Sequence, residues 1–263
     1  MRYAHGRDEL MFRKTIDRLL GVLRTHRFGH GTETGSQSAA DAHADVLAAI
    51  EQAAASIHDR LAHESNVFAV EFLGATGSGK TEIVEALLDR RSDGHRAAVI
   101  AGDVAGDDDA RRYRKHSVRA IDVTTGKDCH LDPERVGEAI DELDLEGLDT
   151  LFIENVGNMV CPADFPLGAT LRVVVVSVTE GEDVVRKHPI LFQACDIAVI
   201  NKTDIADAVG TDVERMRRDV RSIAPEIPVL TTSAATGDGI DELQDRLEAR
   251  RGSHDHGTRG DGH

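Results

Sequence analysis

From residue 67 onward the chain repeats one pattern: a short, mostly apolar run, then a helical stretch. The runs are "VFAVEFL" (67–73), "AAVIAG" (97–102), "VRAIDVT" (118–124), "TLFIEN" (150–155), "LRVVVVSV" (171–178), "DIAVIN" (196–201) and "IPVLTT" (227–232). A run that is apolar at nearly every position suits a strand covered on both faces, and strands joined through helices pair in parallel. The pattern predicts an α/β fold in three layers, a doubly wound, mostly parallel sheet between helices. Ligands in such folds bind beyond the carboxyl ends of the strands. Aromatic residues are 3% of the chain and Trp is absent, so the core must be aliphatic.

The first 66 residues read as a helical extension without a core of its own. Residues 8–27 carry Leu10, Ile16, Leu19, Leu20 and Leu23 at roughly helical spacing. "FGHGTETGSQSAA" (28–40) reads as a linker, and the Ala-rich residues 41–66 read as a helix. The α/β domain proper should span 67–250. The end, "RRGSHDHGTRGDGH", is expected to be disordered over 251–263.

Charge and composition remove several functions. A net charge of −16 opposes a nucleic-acid footprint, and scarce aromatics oppose base stacking. No apolar run approaches the roughly 18 residues of a membrane-spanning helix, and "MRYAHGRDEL" lacks the apolar stretch of a signal peptide. A cytoplasmic protein is expected, with no nucleic-acid or membrane partner. Only Lys14, Lys80, Lys115, Lys127, Lys187 and Lys202 are lysines, and an acidic, Lys-poor surface suits a salt-rich cytosol. Three cysteines, Cys129, Cys161 and Cys195, do not make a disulfide framework.

"GATGSGKT" (74–81) directly follows the first run and opens a helix. In that context G-x-x-x-x-G-K-[ST] is a phosphate-binding P-loop. Gly74, Gly77 and Gly79 let the backbone wrap phosphate oxygens, with Ser78 between them; Lys80 would reach the β- and γ-phosphates, and Thr81 would ligate Mg²⁺. "LFIEN" ends its run at Glu154, a carboxylate able to hold a water of the magnesium shell, and Gly157 could offer an N–H to a γ-phosphate. Asp103, at the end of another run, is a second magnesium-shell candidate. Lys80, Asp103 and Glu154 are therefore the catalytic candidates. Asp107 and Asp108 read as a solvated acidic loop.

"NKTD" (201–204) closes the sixth run, about 120 residues after the P-loop. Asp204 can accept hydrogen bonds from N1–H and the 2-amino group of guanine, and adenine offers neither. Sites built on such bonds discriminate by about 10⁴ or more. Asn201, Lys202 and Asp204, with Ser233 and Ala234 in "TTSAATGDG", point to a guanine nucleotide, GTP or GDP. Ser233 and Ala234 stand at the next strand's end, where a backbone N–H could meet the guanine O6.

Cys129 and His130 are adjacent on a loop after the third run, and Cys161 lies seven residues past Glu154. Two thiolates and an imidazole suit Zn²⁺ or Ni²⁺ but do not close a tetrahedron. A two-fold dimer would double the set. The alternative is that the two thiols are ordinary small residues and His130 is solvated. Cys195 enters a buried run and reads as core.

Taken together, "GATGSGKT", "GDV…DARR", "KHSVRAIDVTTGKDCHLDP", "FIENVGNMVCPADFPLG", "TEGEDVVRKHP" and "VINKTDIADAVG" resemble the hydrogenase-maturation nickel-insertion GTPases, the HypB family. The resemblance covers roughly residues 41–250. It implies a P-loop GTPase that hydrolyses GTP slowly with Mg²⁺ and forms a GTP- or metal-dependent homodimer. It implies a nickel or zinc site at that interface, on the residues matching Cys129, His130 and Cys161. It also implies a small zinc-containing partner of the HypA type and delivery of nickel to the large-subunit precursor of a [NiFe] hydrogenase. The cysteine-rich N-terminal nickel motif of some members has no counterpart, because no cysteine precedes Cys129. Ala235 replaces a lysine found in many members. Three other readings stay open on residues alone: a GTPase serving another metalloenzyme such as urease, a P-loop kinase of small molecules, and a structural zinc protein.

Overall fold

β1 (Phe68–Leu73) lies at the centre of the sheet, and the loops of interest gather at its carboxyl end. The computed structural model describes residues 36–103, 106, 108–126 and 130–258. The helix expected over 8–27, Asp107 and Cys129 lie outside the described residues. In chain order, α1 (Ser36–His58) and a π-helical turn (Asp59–Glu64) lead into β1, then α2 (Lys80–Asp89), β2 (Ala97–Asp103), α3 (Asp108–Arg114) and β3 (Arg119–Thr124). α4 (Pro133–Asp141), β4 (Thr150–Glu154), α5 (Cys161–Asp164) and β5 (Leu171–Ser177) follow. The last third holds α6 (Val184–Lys187), α7 (Pro189–Gln193), β6 (Ile197–Asn201), α8 (Ala206–Val209), α9 (Val213–Ile223), β7 (Val229–Thr231) and α10 (Ile240–Thr258).

The seven strands pair in the order β3-β2-β4-β1-β5-β6-β7, every pair parallel. All seven apolar runs become strands, and helices cover both faces. The fold is a three-layer, doubly wound P-loop NTPase fold. Because β4 sits beside β1, with Phe72 opposite Glu154, the end of "LFIE" lies next to the start of the glycine-rich loop.

The two-residue period of β1 shows how the layers are built. Phe68, Val70 and Phe72 face α2 and α10, where Ile83, Leu87, Ile240 and Leu243 complete one apolar cluster. The opposite face holds two clusters: Ala69 belongs to one with Leu61 and Ile140, and Leu73 to another with Phe192 and Met216. Glu71 lies between Ala69 and Leu73 on that face, fully buried. It pairs with Arg172 of β5, its direct neighbour in register, at 2.9 Å.

Both chain ends depart from the expected boundaries. Among the described residues α1 already runs from Ser36, so residues 36–40 of the expected linker are helical. α10 runs through Thr258, into the expected disordered tail. There Arg251 reaches the body of the domain, bonding His95 Nδ1 at 2.9 Å. At the front, Ile57 and Leu61 join the domain core and Arg60 pairs with Asp141 of α4 at 2.5 Å. Leu61 is fully buried, so Leu61→Ala should cost about 2–4 kcal/mol. Urea unfolding of the full chain should show a lower midpoint with an unchanged m-value.

Candidate functional site

The loop after β1 is shaped by close approaches that leave no room for side chains. Gly74 has φ 143°, and a Cβ there would lie 2.1 Å from the Val175 carbonyl oxygen. Only glycine fits that conformation and that gap. Lys80 starts α2 and folds back, donating to the Gly74 and Ala75 carbonyls at 3.1 and 3.2 Å. Ser78 Oγ is buried and has no hydrogen-bond partner among the described residues. A cationic amine, an orphaned hydroxyl and glycines at positive φ make a cradle that fits a phosphate group.

Oxygen donors crowd beside that cradle. Thr81 Oγ1 donates to Glu154 Oε1 at 2.9 Å, and the buried Tyr113 hydroxyl donates to Glu154 Oε2. Asp103 ends β2, half-buried, and Asp109 sits at the start of α3. Burial pushes the Glu154 carboxyl above its ordinary pKa, and the nearby Lys80 pulls it back only in part. Burial likewise raises Asp109, against the pull of Arg112, and Asp103 adds to the rise. Burial lowers Lys80, while Glu154 does most to hold it charged. Hard oxygen donors with unmet negative charge fit Mg²⁺, which keeps most of its own shell and takes one or two protein ligands. Among the described residues no three His, Cys, Asp or Glu side chains close into a ready metal cage.

The base side is built around Asn201, which is buried at the end of β6. Its amide nitrogen donates to the Ser78 carbonyl at 3.0 Å. Its oxygen accepts from Thr232 Oγ1 at 3.0 Å and from the Ala234 N–H at 3.3 Å. Lys202, in left-handed conformation at φ 62°, reaches the Gly77 carbonyl at 2.6 Å. Asp204 follows, exposed. The Ser233 N–H donates to the Asp238 carbonyl at 2.9 Å inside its own turn, next to Ala234.

The segment after Glu154 docks on the phosphate loop. Gly74 and Asn158 form an isolated antiparallel bridge, and Thr76 Oγ1 donates to the Gly157 carbonyl at 3.2 Å. A Cβ on Gly157 would fall 2.1 Å from Thr76 Oγ1. The same segment then turns into α5, which starts at Cys161 and ends before Phe165. The ring of His130 stacks on Phe165, centroids 4.0 Å apart and planes at 20°. The fold thus brings His130 to the Cys161 segment. Cys195 is fully buried in the core, and burial pushes its thiol pKa far up, as suits a structural residue.

Residues 69–231 match the family described as CobW/HypB/UreG, nucleotide-binding domain. The chain is 46% identical over 189 residues to the probable hydrogenase maturation factor HypB of Methanocaldococcus jannaschii, covering 72% of this chain and 86% of that one. The chain belongs to the HypB family of hydrogenase maturation factors. The crystal structure of HypB from Archaeoglobus fulgidus superposes with a TM-score of 0.73 at 40% identity, covering 78% of this chain and 99% of the other. That of HypB from Helicobacter pylori in complex with nickel gives 0.74 at 31% identity, covering 81% and 99%.

Within this chain, three residues near Lys80 carry a role that the sequence motifs did not assign to them. Asp109 and Tyr113 are four apart on one face of α3, and both help set the charge of Glu154. That i, i+4 spacing, with one of only two tyrosines in the chain, is the signal that points to them. Glu180 is the third. It completes a capping box with Ser177, and Lys80 and Lys202 both bear on its carboxyl. Asp108 is exposed and pairs with Arg111 at 3.4 Å, as a solvated residue should.

A carboxyl whose pKa is raised by folding favours the fold below its ordinary value, 4.5 for Glu154, and loses that contribution as pH rises through the folded value. The nucleotide-free protein should therefore gain from Glu154→Gln at pH 8, by roughly 2–4 °C in Tm for a relief of about 1 kcal/mol. The gain should fade towards pH 4.5, which thermal scans across that range will show.

Proposed function

We propose that this HypB protein is a Mg²⁺-dependent GTPase that carries nickel and hands it over during [NiFe] hydrogenase maturation. The observation that carries the reading is the course of residues 154–161. They begin at Glu154, bonded to Thr81, touch the phosphate loop through Gly157 and Thr76, and end at Cys161. A thiol therefore stands at the far end of the segment best placed to sense a γ-phosphate.

On binding GTP, Lys80 exchanges the Gly74 and Ala75 carbonyls for the β- and γ-phosphates. Thr81 would hold the cation, and Glu154, Asp103 and Asp109 would balance its charge. Mg²⁺ supplies neutralisation of the β- and γ-oxygens. Hydrolysis then rests on positioning and charge stabilisation, with no covalent step on the protein. Asp204 selects guanine, Asn201 and Lys202 hold the base loop to the phosphate loop, and Ser233 and Ala234 complete the base rim. Gly74, Gly77, Ser78, Gly79 and Gly157 line the phosphates.

Nickel, or zinc in its place, is the cargo. Cys129, His130 and Cys161 are its ligands, and a second copy of the chain completes the set in a GTP-dependent homodimer. The small zinc-containing partner of the HypA type and the large-subunit precursor are the proteins on either side of the transfer. The complex of the Helicobacter pylori relative with nickel supports this cargo. Val160, 61% exposed beside Cys161, supplies apolar surface where two copies would meet.

Two measurements test the reading. Asp204→Asn should reduce the preference for GTP over ATP about 100-fold or more in competition binding, because a carboxylate acceptor pair is lost. Nickel titration of the full chain should give affinities that differ by roughly 5-fold or more between GDP and a non-hydrolysable GTP analogue, with dimerisation following the tighter state. Equal affinities in the two states would end the coupling, and intact guanine preference in Asp204→Asn would end the base assignment.

A further inference from the structure

A buried polar chain crosses the seam between the two apolar clusters on one face of the sheet. Its fixed part is Glu71 on β1 and Arg172 on β5, paired at 2.9 Å, with side chains 0% and 3% exposed. Two strands of a parallel sheet in direct register leave this pair little freedom to move. From it, two arms reach out. Arg172 Nη2 donates to the Pro162 carbonyl at 2.7 Å, and Pro162 is the residue after Cys161. On the other side, Asn155 Nδ2 donates to Glu71 Oε1 at 2.8 Å. The Asn155 oxygen accepts from the Leu131 N–H at 3.1 Å, and Leu131 is the residue after His130.

The two arms differ in kind. The Pro162 arm ends on a strand-borne guanidinium that also donates to the Ala194 carbonyl at 3.2 Å, so it is anchored. The Leu131 arm ends on Asn155, the first residue beyond β4, directly after Glu154. One oxygen of Asn155 serves both Leu131 and its own neighbour, the Val156 N–H at 2.9 Å. A shift of Val156 and Gly157 towards a phosphate therefore acts on the oxygen that holds Leu131. Leu131 is fully buried and packs on Gly102, where a Cβ would stand 2.8 Å from its Cγ. A displaced Leu131 must carry its loop with it rather than slide.

We propose that Asn155 is a positioning residue that passes nucleotide state to the His130 loop while the Arg172–Glu71 pair holds the Cys161 loop still. Nucleotide state thus changes the geometry between two cargo ligands by moving one of them against a fixed other. The inference rests on the reading that GTP engages residues 154–157 and that His130 and Cys161 hold the metal. Asn155 touches neither nucleotide nor cargo. It acts through the Leu131 backbone.

Hydrogen exchange on the wild-type chain, without metal, tests the moving arm. The Leu131 amide should differ in protection by about tenfold or more between GDP and the GTP analogue, while the Ala163 amide, beside the anchored arm, stays within about 2-fold. Equal protection of Leu131 in the two states overturns the proposal even if nickel affinity follows the nucleotide. Two variants then test the consequence. Asn155→Ala removes the acceptor. Asn155→Asp keeps the acceptor for Leu131 but sets a carboxylate against Glu71. Either should retain GDP-state nickel affinity within about 3-fold while the ratio between nucleotide states falls towards one. A folded variant that keeps the wild-type ratio overturns the proposal. A wild-type ratio of one instead overturns the nickel coupling of the proposed function, whatever Leu131 does.

Discussion

Placing an acid and a base inside a sheet of aliphatic side chains imposes strict terms on everything around them. Glu71 and Arg172 are both out of water, and a buried ion pair is tolerated only when its remaining lone pairs and protons also find partners. Here they do: Asn155, Ala194 and Pro162 complete the set. Each partner belongs to a different segment beyond the strand ends. Satisfying one pair therefore fixes the turn before β6 and the first turn of α5, while Asn155 ties the pair to the start of the 155–160 segment. Breaking such a pair by removing one partner typically costs about 3–5 kcal/mol, so the turn before β6 and the first turn of α5 are held with the force of the core.

The phosphate cradle follows a different logic. Lys80, Glu154 and Asp109 are buried more deeply than their charges favour, and burial moves each pKa towards the neutral form. The nucleotide-free site is thus electrostatically unfinished. Under the function proposed above, phosphate would satisfy the amine and a divalent cation the carboxylates. An overall charge of −16 makes the nucleotide a guest of like charge, so affinity for it must come from this local cluster rather than from the field of the whole surface.

Much of this was legible in the order of residues. The strands were, because burial on both faces removes the polar alternation that would otherwise blur them, and "LRVVVVSV" or "DIAVIN" leave little else to read. "GATGSGKT" and "NKTD" were legible because each stands at a strand end at the right separation. The two chain ends were less so, since Gly and Ser argue for a break while docking on the domain decides for a helix. Asp109 and Tyr113 lie outside any strand-end pattern and reach Glu154 only through the packing of α3. Glu71 and Arg172 sit in apolar runs 101 residues apart, and nothing in either run tells that the two strands will be in register. Partners set by tertiary register are where reading along the chain stops.

Asn201 gives the site one property that separate loops would not have. Its amide grips the carbonyl of Ser78 in the phosphate loop, and its oxygen holds the turn beyond β7, so one buried side chain spans both halves of the pocket. The distance from base rim to phosphate cradle is then set by covalent bonds and a sheet, not by the occupant. Under the function proposed above, such a pocket would work as a gauge of molecular length. A ligand seated at the base end would meet the far wall with two phosphates or three, and the difference would register from Glu154 to Gly157.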